Sequence, residues 1–257
     1  MGAFRKLRIL FLLFILLLVA VSTWLNELRT TDWDRPLVVA IYPINGDSSN
    51  ASREYIASLS IDDFEPIETF FQQEAAHYGL VLSEPFELLL APELKEGPPA
   101  PPEDRNLPGV MWWSLKMRYW AWRIARSGGP AADIQMFVLY HDAVANPRLA
   151  HSLGLQKGLL GVVHAFGSRQ DAGGNRMVIA HELLHTLGAT DKYDLESNQP
   201  LYPMGYAEPQ KQPLLPQELA EIMAGRIPLT PTQAVQPKSL NATLVGAVTA
   251  REIRWID

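Results

Sequence analysis

The segment NRMVIAHELLHTLGATDKYD, residues 175–194, decides how the rest of the chain is interpreted. Apolar residues cover most of the circumference of a helix drawn on it, namely Met177, Val178, Ile179, Ala180, Leu183, Leu184 and Leu187. Asn175 is a suitable N-cap and Gly188 a suitable stop, which predicts a helix of about three turns between them. Because this helix is apolar nearly all round, we expect it to be buried.

Three polar side chains interrupt this apolar helix. His181 and His185 are four residues apart, so both imidazoles lie on one face at the spacing that a single tetrahedral metal ion requires. Glu182 is turned by about 100° from His181, beside the metal, where it can accept a proton from an activated water. Such groups are unfavourable inside a buried helix unless they are paired or bind a metal. The pattern therefore predicts a site for Zn²⁺.

Two arrangements remain open for the third metal ligand. In the first, Gly188 lets the chain reverse sharply and Asp191 returns as the ligand, which leaves a fourth position for water. In the second, a glutamate from a downstream helix in residues 216–223 serves instead, either Glu218 or Glu221. We favour Asp191, because Gly188 has no purpose in the second arrangement.

The pattern HExxHxxGxxD, residues 181–191, resembles the signature of the metzincin zinc peptidases, in the variant with aspartate in place of the third histidine. This variant is similar to that of the snapalysins, small neutral proteases secreted by bacteria. They also tend to have a tyrosine two residues after the aspartate, here Tyr193. The resemblance covers roughly residues 158–206, and it implies a zinc metallopeptidase that hydrolyses peptide bonds with Glu182 as general base.

The resemblance also implies structural features around the metal. Metzincins have a methionine-containing turn beneath the metal, for which YPMGY, residues 202–206, is the candidate. Met204 would then support the ligands without binding the metal, and Tyr206 or Tyr193 would stabilise the tetrahedral intermediate. The strand before the helix, residues 158–166, would be an edge strand that pairs with an extended substrate.

Short β-branched runs alternate with helical segments in the rest of the chain. We predict strands and helices at the following residues: strands at 36–42, 85–91, 133–140 and 158–166, and helices at 63–78 and 110–126. This alternation predicts an α/β or α+β fold with a mixed sheet. The resemblance makes it a metzincin-like mixed twisted sheet with an active-site helix.

The predicted helix 110–126 is rich in tryptophan, with Trp112, Trp113, Trp120 and Trp122. Burial against the sheet is the favoured interpretation, since apolar residues follow helical spacing there. An aromatic substrate platform and an aromatic belt at a membrane interface are the alternatives.

The N-terminal part of the chain has the pattern of a membrane anchor. An apolar stretch at residues 9–25 follows basic residues and is just long enough to cross a thin bilayer. The basic flank stays in the cytoplasm, so the remainder is expected on the periplasmic side of a bacterial cell membrane. The alternative is a signal peptide cleaved near residues 20–22, which would release a secreted protein.

These patterns divide the chain into successive parts. We expect a cytoplasmic N-terminus (1–8), a transmembrane signal-anchor (9–25), a juxtamembrane linker (26–35), a catalytic domain (36–228) with a Pro-rich loop (97–108), and a C-terminal extension (229–257).

Composition limits the function classes. The chain has 257 residues, a net charge of −6 and no cysteine, which excludes disulfides and thiolate ligands and argues against nucleic acid as a partner. We therefore expect a membrane-tethered zinc endopeptidase acting on a peptide or protein substrate. A zinc hydrolase of a non-peptide amide or ester, and a non-catalytic envelope protein stabilised by zinc, are the alternatives.

Overall fold

The computed structural model describes residues 7–11, 13, 14, 17, 31–102 and 106–257 of the chain. The helices are α1 (Asn50–Ala57), α2 (Glu65–His77), α3 (Leu107–Arg126), α4 (Ala172–Thr186) and α5 (Ala247–Glu252). The strands are β1 (Leu37–Asn45), β2 (Phe86–Leu90), β3 (Ile134–His141), β4 (Leu153–Leu155), β5 (Leu160–Phe166), β6 (Ala220–Glu221), β7 (Ile227–Thr230), β8 (Gln233–Val235) and β9 (Thr243–Leu244).

A five-stranded sheet in the order β2-β1-β3-β5-β4 forms the centre of the fold. Strands β1, β2, β3 and β5 run parallel, and β4 pairs antiparallel with β5. The parallel strands are short apolar runs such as LVVAIYPIN in β1, because helices cover both faces of the sheet. The predicted mixed sheet within an α/β fold is confirmed at this level.

Alternating residues of the strands point into two separate hydrophobic clusters. In β1, Val39 and Ile41 contribute to the larger cluster, which also holds apolar residues of α1, α2 and α4. Ala40 and Tyr42 contribute to the smaller cluster on the opposite face, under α3. The helix that carries the HExxH pattern is therefore packed against the sheet together with α1 and α2.

The prediction that residues 158–166 form an edge strand is wrong. Strand β5 lies between β3 and β4, so the edge of the sheet is β4, at residues Leu153–Leu155. This edge strand was missed because three residues, one of them glycine, are too few to show a period of two.

The predicted division between a catalytic domain and a C-terminal extension also needs correction. Val245, Ile253 and Trp255 belong to the larger hydrophobic cluster, although they lie within residues 229–257. Trp33, from the predicted linker, donates a hydrogen bond of 2.8 Å from Nε1 to the carbonyl of Ile253. The two ends of the described domain therefore share one core.

No helix among the described residues is long and apolar enough to cross a membrane. The predicted anchor at residues 9–25 lies mostly outside the described residues, and so do most of residues 1–8 and the cleavage position at 20–22. The membrane anchor stays a prediction from the sequence.

Candidate metal centre

Helix α4 brings the HExxH pattern against the sheet. It begins at Ala172, four residues earlier than predicted, so Asn175 is not the N-cap. The Asn175 side chain instead accepts a hydrogen bond of 3.0 Å from the backbone N–H of Phe166 and donates one of 2.8 Å to its carbonyl. This buried amide ties the first turn of α4 to the end of β5.

The side chains of His181, His185 and Asp191 converge on one point. The two Nε2 atoms are 3.1 Å apart, and Asp191 Oδ1 lies 3.3 Å from the Nε2 of His181 and 3.1 Å from that of His185. Ligands placed about 2.0–2.1 Å from a tetrahedral zinc are about 3.3 Å apart. The observed separations fit that requirement, so these three residues could hold a metal ion.

Both imidazoles are fixed from behind by backbone carbonyls. His181 Nδ1 lies 2.9 Å from the carbonyl oxygen of Ile222, and His185 Nδ1 lies 2.7 Å from that of Ala189. A carbonyl can only accept, so each Nδ1 carries the proton and each Nε2 presents a lone pair to the cluster. This is the tautomer that a histidine needs in order to bind a metal through Nε2.

Gly188 makes the turn that brings Asp191 back to the helix. Its φ is +103°, and a Cβ there would lie 2.5 Å from the side-chain nitrogen of Gln156. The positive φ favours glycine at this position, whereas the flexible side chain of Gln156 could move aside for a Cβ. Asp191 lies in the loop that follows. Burial acts to raise the pKa of its carboxyl, but the influence of the two adjacent histidines is larger and holds that pKa below the usual range.

The second arrangement for the third ligand is not supported. Residues 216–223 do not form a helix and hold only the short strand β6. Glu218 is exposed and pairs with Lys211 at 2.9 Å. Glu221 is buried but accepts hydrogen bonds from Thr249 and from two backbone N–H groups, away from the histidines.

Glu182 lies beside the cluster formed by His181, His185 and Asp191 and is almost inaccessible to solvent. Its side chain is 6% exposed, and its Oε2 has no hydrogen-bond partner in the described part of the chain. Burial raises the pKa of Glu182, and the neighbouring histidines act in the opposite direction. A buried carboxylate oxygen without a partner is unfavourable in a purely structural role. Binding of a ligand or a proton to Oε2 would satisfy it.

The edge strand β4 lies directly on this part of α4. A Cβ at Gly154 would lie 2.5 Å from the carbonyl oxygen of Glu182, and even closer to the Cβ of His185. The glycine therefore lets β4 approach the backbone of α4 at Glu182 and His185.

A cleft of about 180 Å³ opens onto His181 and Glu182. Tyr193, Asn198 and Arg226 are among the residues that line it. Burial raises the pKa of Tyr193, and the nearby carboxylates of Asp191 and Glu182 raise it further, so the phenol keeps its proton. Of the two tyrosines predicted for the site, Tyr193 is the one that lines this cleft.

Met204 and Tyr206 lie elsewhere. Met204 is 44% exposed, and both residues line a different cleft, between α2 and α5. Neither residue is among those that line the cleft at His181 and Glu182, so the roles predicted for Met204 and Tyr206 stay predictions from the sequence. The motif YPMGY alone could not reveal this, because a short turn does not show which part of the fold it packs against.

Met223 is a second methionine in a turn, and the backbone of this turn contacts the segments of His181 and Asp191. It is fully buried in a turn at residues 221–225, where the N–H groups of Ala224 and Gly225 both donate to the carbonyl of Glu221 at 3.0 Å. The turn reaches both ligand segments, since Ile222 accepts from His181 and Met223 accepts from the backbone N–H of Lys192.

A comparison with models of known protein families gives no match, and a comparison with curated protein sequences gives none either. The resemblance to the metzincins therefore depends on the HExxHxxGxxD motif alone. The geometry of the site offers three metal-ligating atoms, an adjacent carboxylate and an open cleft, which together could activate a water molecule for hydrolysis.

Proposed function

We propose that the protein is a metzincin-like zinc endopeptidase in which Glu182 is the general base. The observation that carries the proposal is the buried, unpartnered Oε2 of Glu182 beside the convergent atoms of His181, His185 and Asp191. Support for the metzincin type comes from the mixed sheet, the Gly188 turn and the turn of the buried Met223, whose backbone is hydrogen-bonded to His181 and Lys192. The periplasmic, membrane-tethered location is part of the same proposal and depends on residues 9–25.

The chemistry follows from the donor set. Zinc in this site would polarise a carbonyl and lower the pKa of a water toward about 7. Glu182 accepts the proton of the attacking water and later transfers it to the leaving amine. Tyr193, protonated and lining the cleft, donates a hydrogen bond to the developing oxyanion. His181, His185 and Asp191 keep their positions throughout, because their partners are backbone carbonyls and a tight turn.

The edge of the sheet favours a peptide over a small amide or ester. Strand β4 pairs with β5 on one side and has no strand on its other side among the described residues. An extended peptide can add to such an edge through backbone hydrogen bonds. Since Gly154 of this strand lies against Glu182 and His185, an added peptide would pass next to the general base.

The non-catalytic alternative is less consistent with the site. A structural zinc site is closed by four protein ligands, whereas the described residues supply three. A structural site also has no use for a buried carboxylate oxygen, Glu182 Oε2, that lacks a hydrogen-bond partner among the described residues.

The test compares Glu182→Gln with Glu218→Gln in the full-length protein. Glu218 is an exposed glutamate far from the histidines and serves as the matched control. We expect Glu182→Gln to retain about one zinc per chain and to lose at least about a hundredfold in cleavage of an unfolded protein substrate. Glu218→Gln should retain both properties.

Retained cleavage in Glu182→Gln would overturn the general base. If wild-type protein cleaves non-peptide amides or esters but no peptide, the non-peptide hydrolase is correct instead. Metal binding with neither activity would support the envelope protein.

A further inference from the structure

Helix α3 has a long apolar stripe on its solvent side. The outer stripe consists of Leu107, Met111, Trp112, Leu115, Tyr119 and Trp122, all of them exposed. Trp112 and Trp122 are 61% and 50% exposed, so burial in the core accounts for only part of this tryptophan-rich helix. Core packing therefore does not explain Trp112 and Trp122.

The outer stripe lies opposite the buried side of α3. At 100° per residue, its members fall within a sector of about 140°, on the other side of the helix from Met117, Trp120 and Ala121. From residue 107 to residue 122 it is about 23 Å long, at 1.5 Å per residue. The helix therefore has two apolar faces, one for the sheet and one without a partner among the described residues.

Basic residues flank the outer stripe. Lys116, Arg118, Arg123 and Arg126 are exposed, and the helix contains no acidic residue, although the chain as a whole has a net charge of −6. Lys116 lies over the ring of Trp112 at 5.6 Å and Arg126 over that of Trp122 at 4.4 Å. Arg123 pairs with Glu96. Positive charge is thus concentrated on the only face of the helix that is both apolar and exposed.

We propose that the outer stripe of α3 lies on the surface of a bilayer that contains anionic lipid. Tryptophan and tyrosine prefer the level of the headgroups, and arginine and lysine bind lipid phosphates while their stems lie along apolar surface. A stripe of exposed apolar residues flanked by cations is typical of helices that lie in the membrane interface.

The path of the chain supports this position. Residues 31–36 lead into β1, and there Arg35 pairs with Asp133 at 2.6 Å. Asp133 follows the end of α3 by only seven residues, which span at most about 25 Å, so the chain enters the domain within a few tens of ångströms of the C-terminal end of α3. The apolar stretch at residues 9–25 is separated from this point by ten residues, which span at most about 35 Å.

A tether of this length lowers the affinity for lipid that the outer stripe needs. Held within a few tens of ångströms of the bilayer, the stripe meets lipid at a high effective concentration, so a weak contact is sufficient. The contact would stop the domain from rotating freely on its linker and would give the cleft one orientation relative to the membrane.

The absence of cysteine makes a site-specific probe straightforward. Leu115→Cys places one thiol in the outer stripe, and Val144→Cys, at a position that is 91% exposed on a loop, is the matched control. Each full-length variant is labelled with an environment-sensitive fluorophore and reconstituted into vesicles. One set of vesicles is phosphatidylcholine, and the other is phosphatidylcholine with one quarter phosphatidylglycerol. Flotation confirms that the chain stays with the vesicles.

We expect the label at position 115 to shift to the blue and to be quenched by brominated lipid in the anionic vesicles, while the label at position 144 remains aqueous. Adding Lys116→Glu and Arg126→Glu should weaken the binding of the outer stripe to the anionic surface by about fivefold for each charge removed, and the signal should fall accordingly. A label at position 115 that remains aqueous in both sets of vesicles would overturn the proposal. A blue shift that rises with protein density and is insensitive to brominated lipid would also overturn it, since the stripe would then contact a second copy of the chain.

Discussion

Lys192 Nζ and Glu252 Oε2 are 2.6 Å apart, in an ion pair that joins the metal-ligand loop to helix α5. The Lys192 side chain is 2% exposed and also donates to the carbonyl and the hydroxyl of Thr190, at 2.7 and 2.8 Å. Lys192 directly follows Asp191, so this cluster fixes the backbone on which the third ligand stands.

Removal of the carboxylate from this pair should weaken both the fold and the site. In Glu252→Ala, Lys192 keeps its charge without an acidic partner, and a broken buried pair costs about 3 kcal/mol of unfolding free energy. The measurement is denaturant unfolding of metal-free protein together with a zinc titration. Glu218→Ala breaks the exposed pair with Lys211 and should change neither quantity appreciably. Equal effects of the two substitutions would show that the buried pair has no special role.

The third ligand can be tested by metal content. Asp191→Ala should lower zinc affinity by more than about a hundredfold, because two histidines alone do not make a tight site. Glu218→Ala should keep about one zinc per chain. Elemental analysis of the purified proteins against protein concentration distinguishes them, and the reverse result would move the third ligand downstream.

The contact between β4 and α4 predicts opposite effects for two glycines. In Gly154→Ala, the new Cβ would overlap the backbone of Glu182, so we expect a displaced edge strand, lower stability and at least about tenfold lower peptide cleavage. In Gly174→Ala, within α4, no atom lies within 4 Å of the new Cβ, so the helix should gain about 0.5–1 kcal/mol. Thermal unfolding of both variants tests this pair of expectations. A harmless Gly154→Ala would mean that the strand does not lie against the helix.

A second histidine pair predicts how stability depends on pH. His141 Nε2 and His164 Nδ1 are 3.0 Å apart. Burial lowers the pKa of both residues, the charge of His141 lowers that of His164 further, and Asp47 opposes the shift at His141. The folded state therefore binds fewer protons than the unfolded state, and stability is lost as the pH falls through about 6.5.

The test is unfolding of metal-free protein at several pH values between neutral and acid. His164→Asn keeps a hydrogen-bonding group at the position of Nδ1 but cannot be protonated. We expect the slope of unfolding free energy against pH to decrease by up to about one proton, or about 1.4 kcal/mol per pH unit. His77→Asn, a substitution in α2 away from this pair, is the control. An unchanged slope in His164→Asn would exclude the pair as its source.

Local spacing was enough to predict that His181, His185 and Asp191 converge, because they lie within eleven residues and their geometry follows from one helix and one turn. The parallel strands were predictable for a similar reason, since each is a short and mostly apolar run. Met223 and Glu221 were not, because their positions depend on contacts with segments distant in sequence. The buried carboxylate of Glu221, for example, is explained only by Thr249 and Gly246.

The late position of helix α5 in the sequence also determines when the loop of Asp191 becomes fixed during synthesis. Glu252 follows Asp191 by 61 residues. During synthesis from the N-terminus, the chain therefore contains His181, His185 and Asp191 well before it contains helix α5, which holds the loop of Asp191. Until α5 packs, Lys192 and Thr190 lack their partner, and the geometry around Asp191 is not yet fixed. A metal centre of the proposed kind would therefore be completed only late in the synthesis of its own chain.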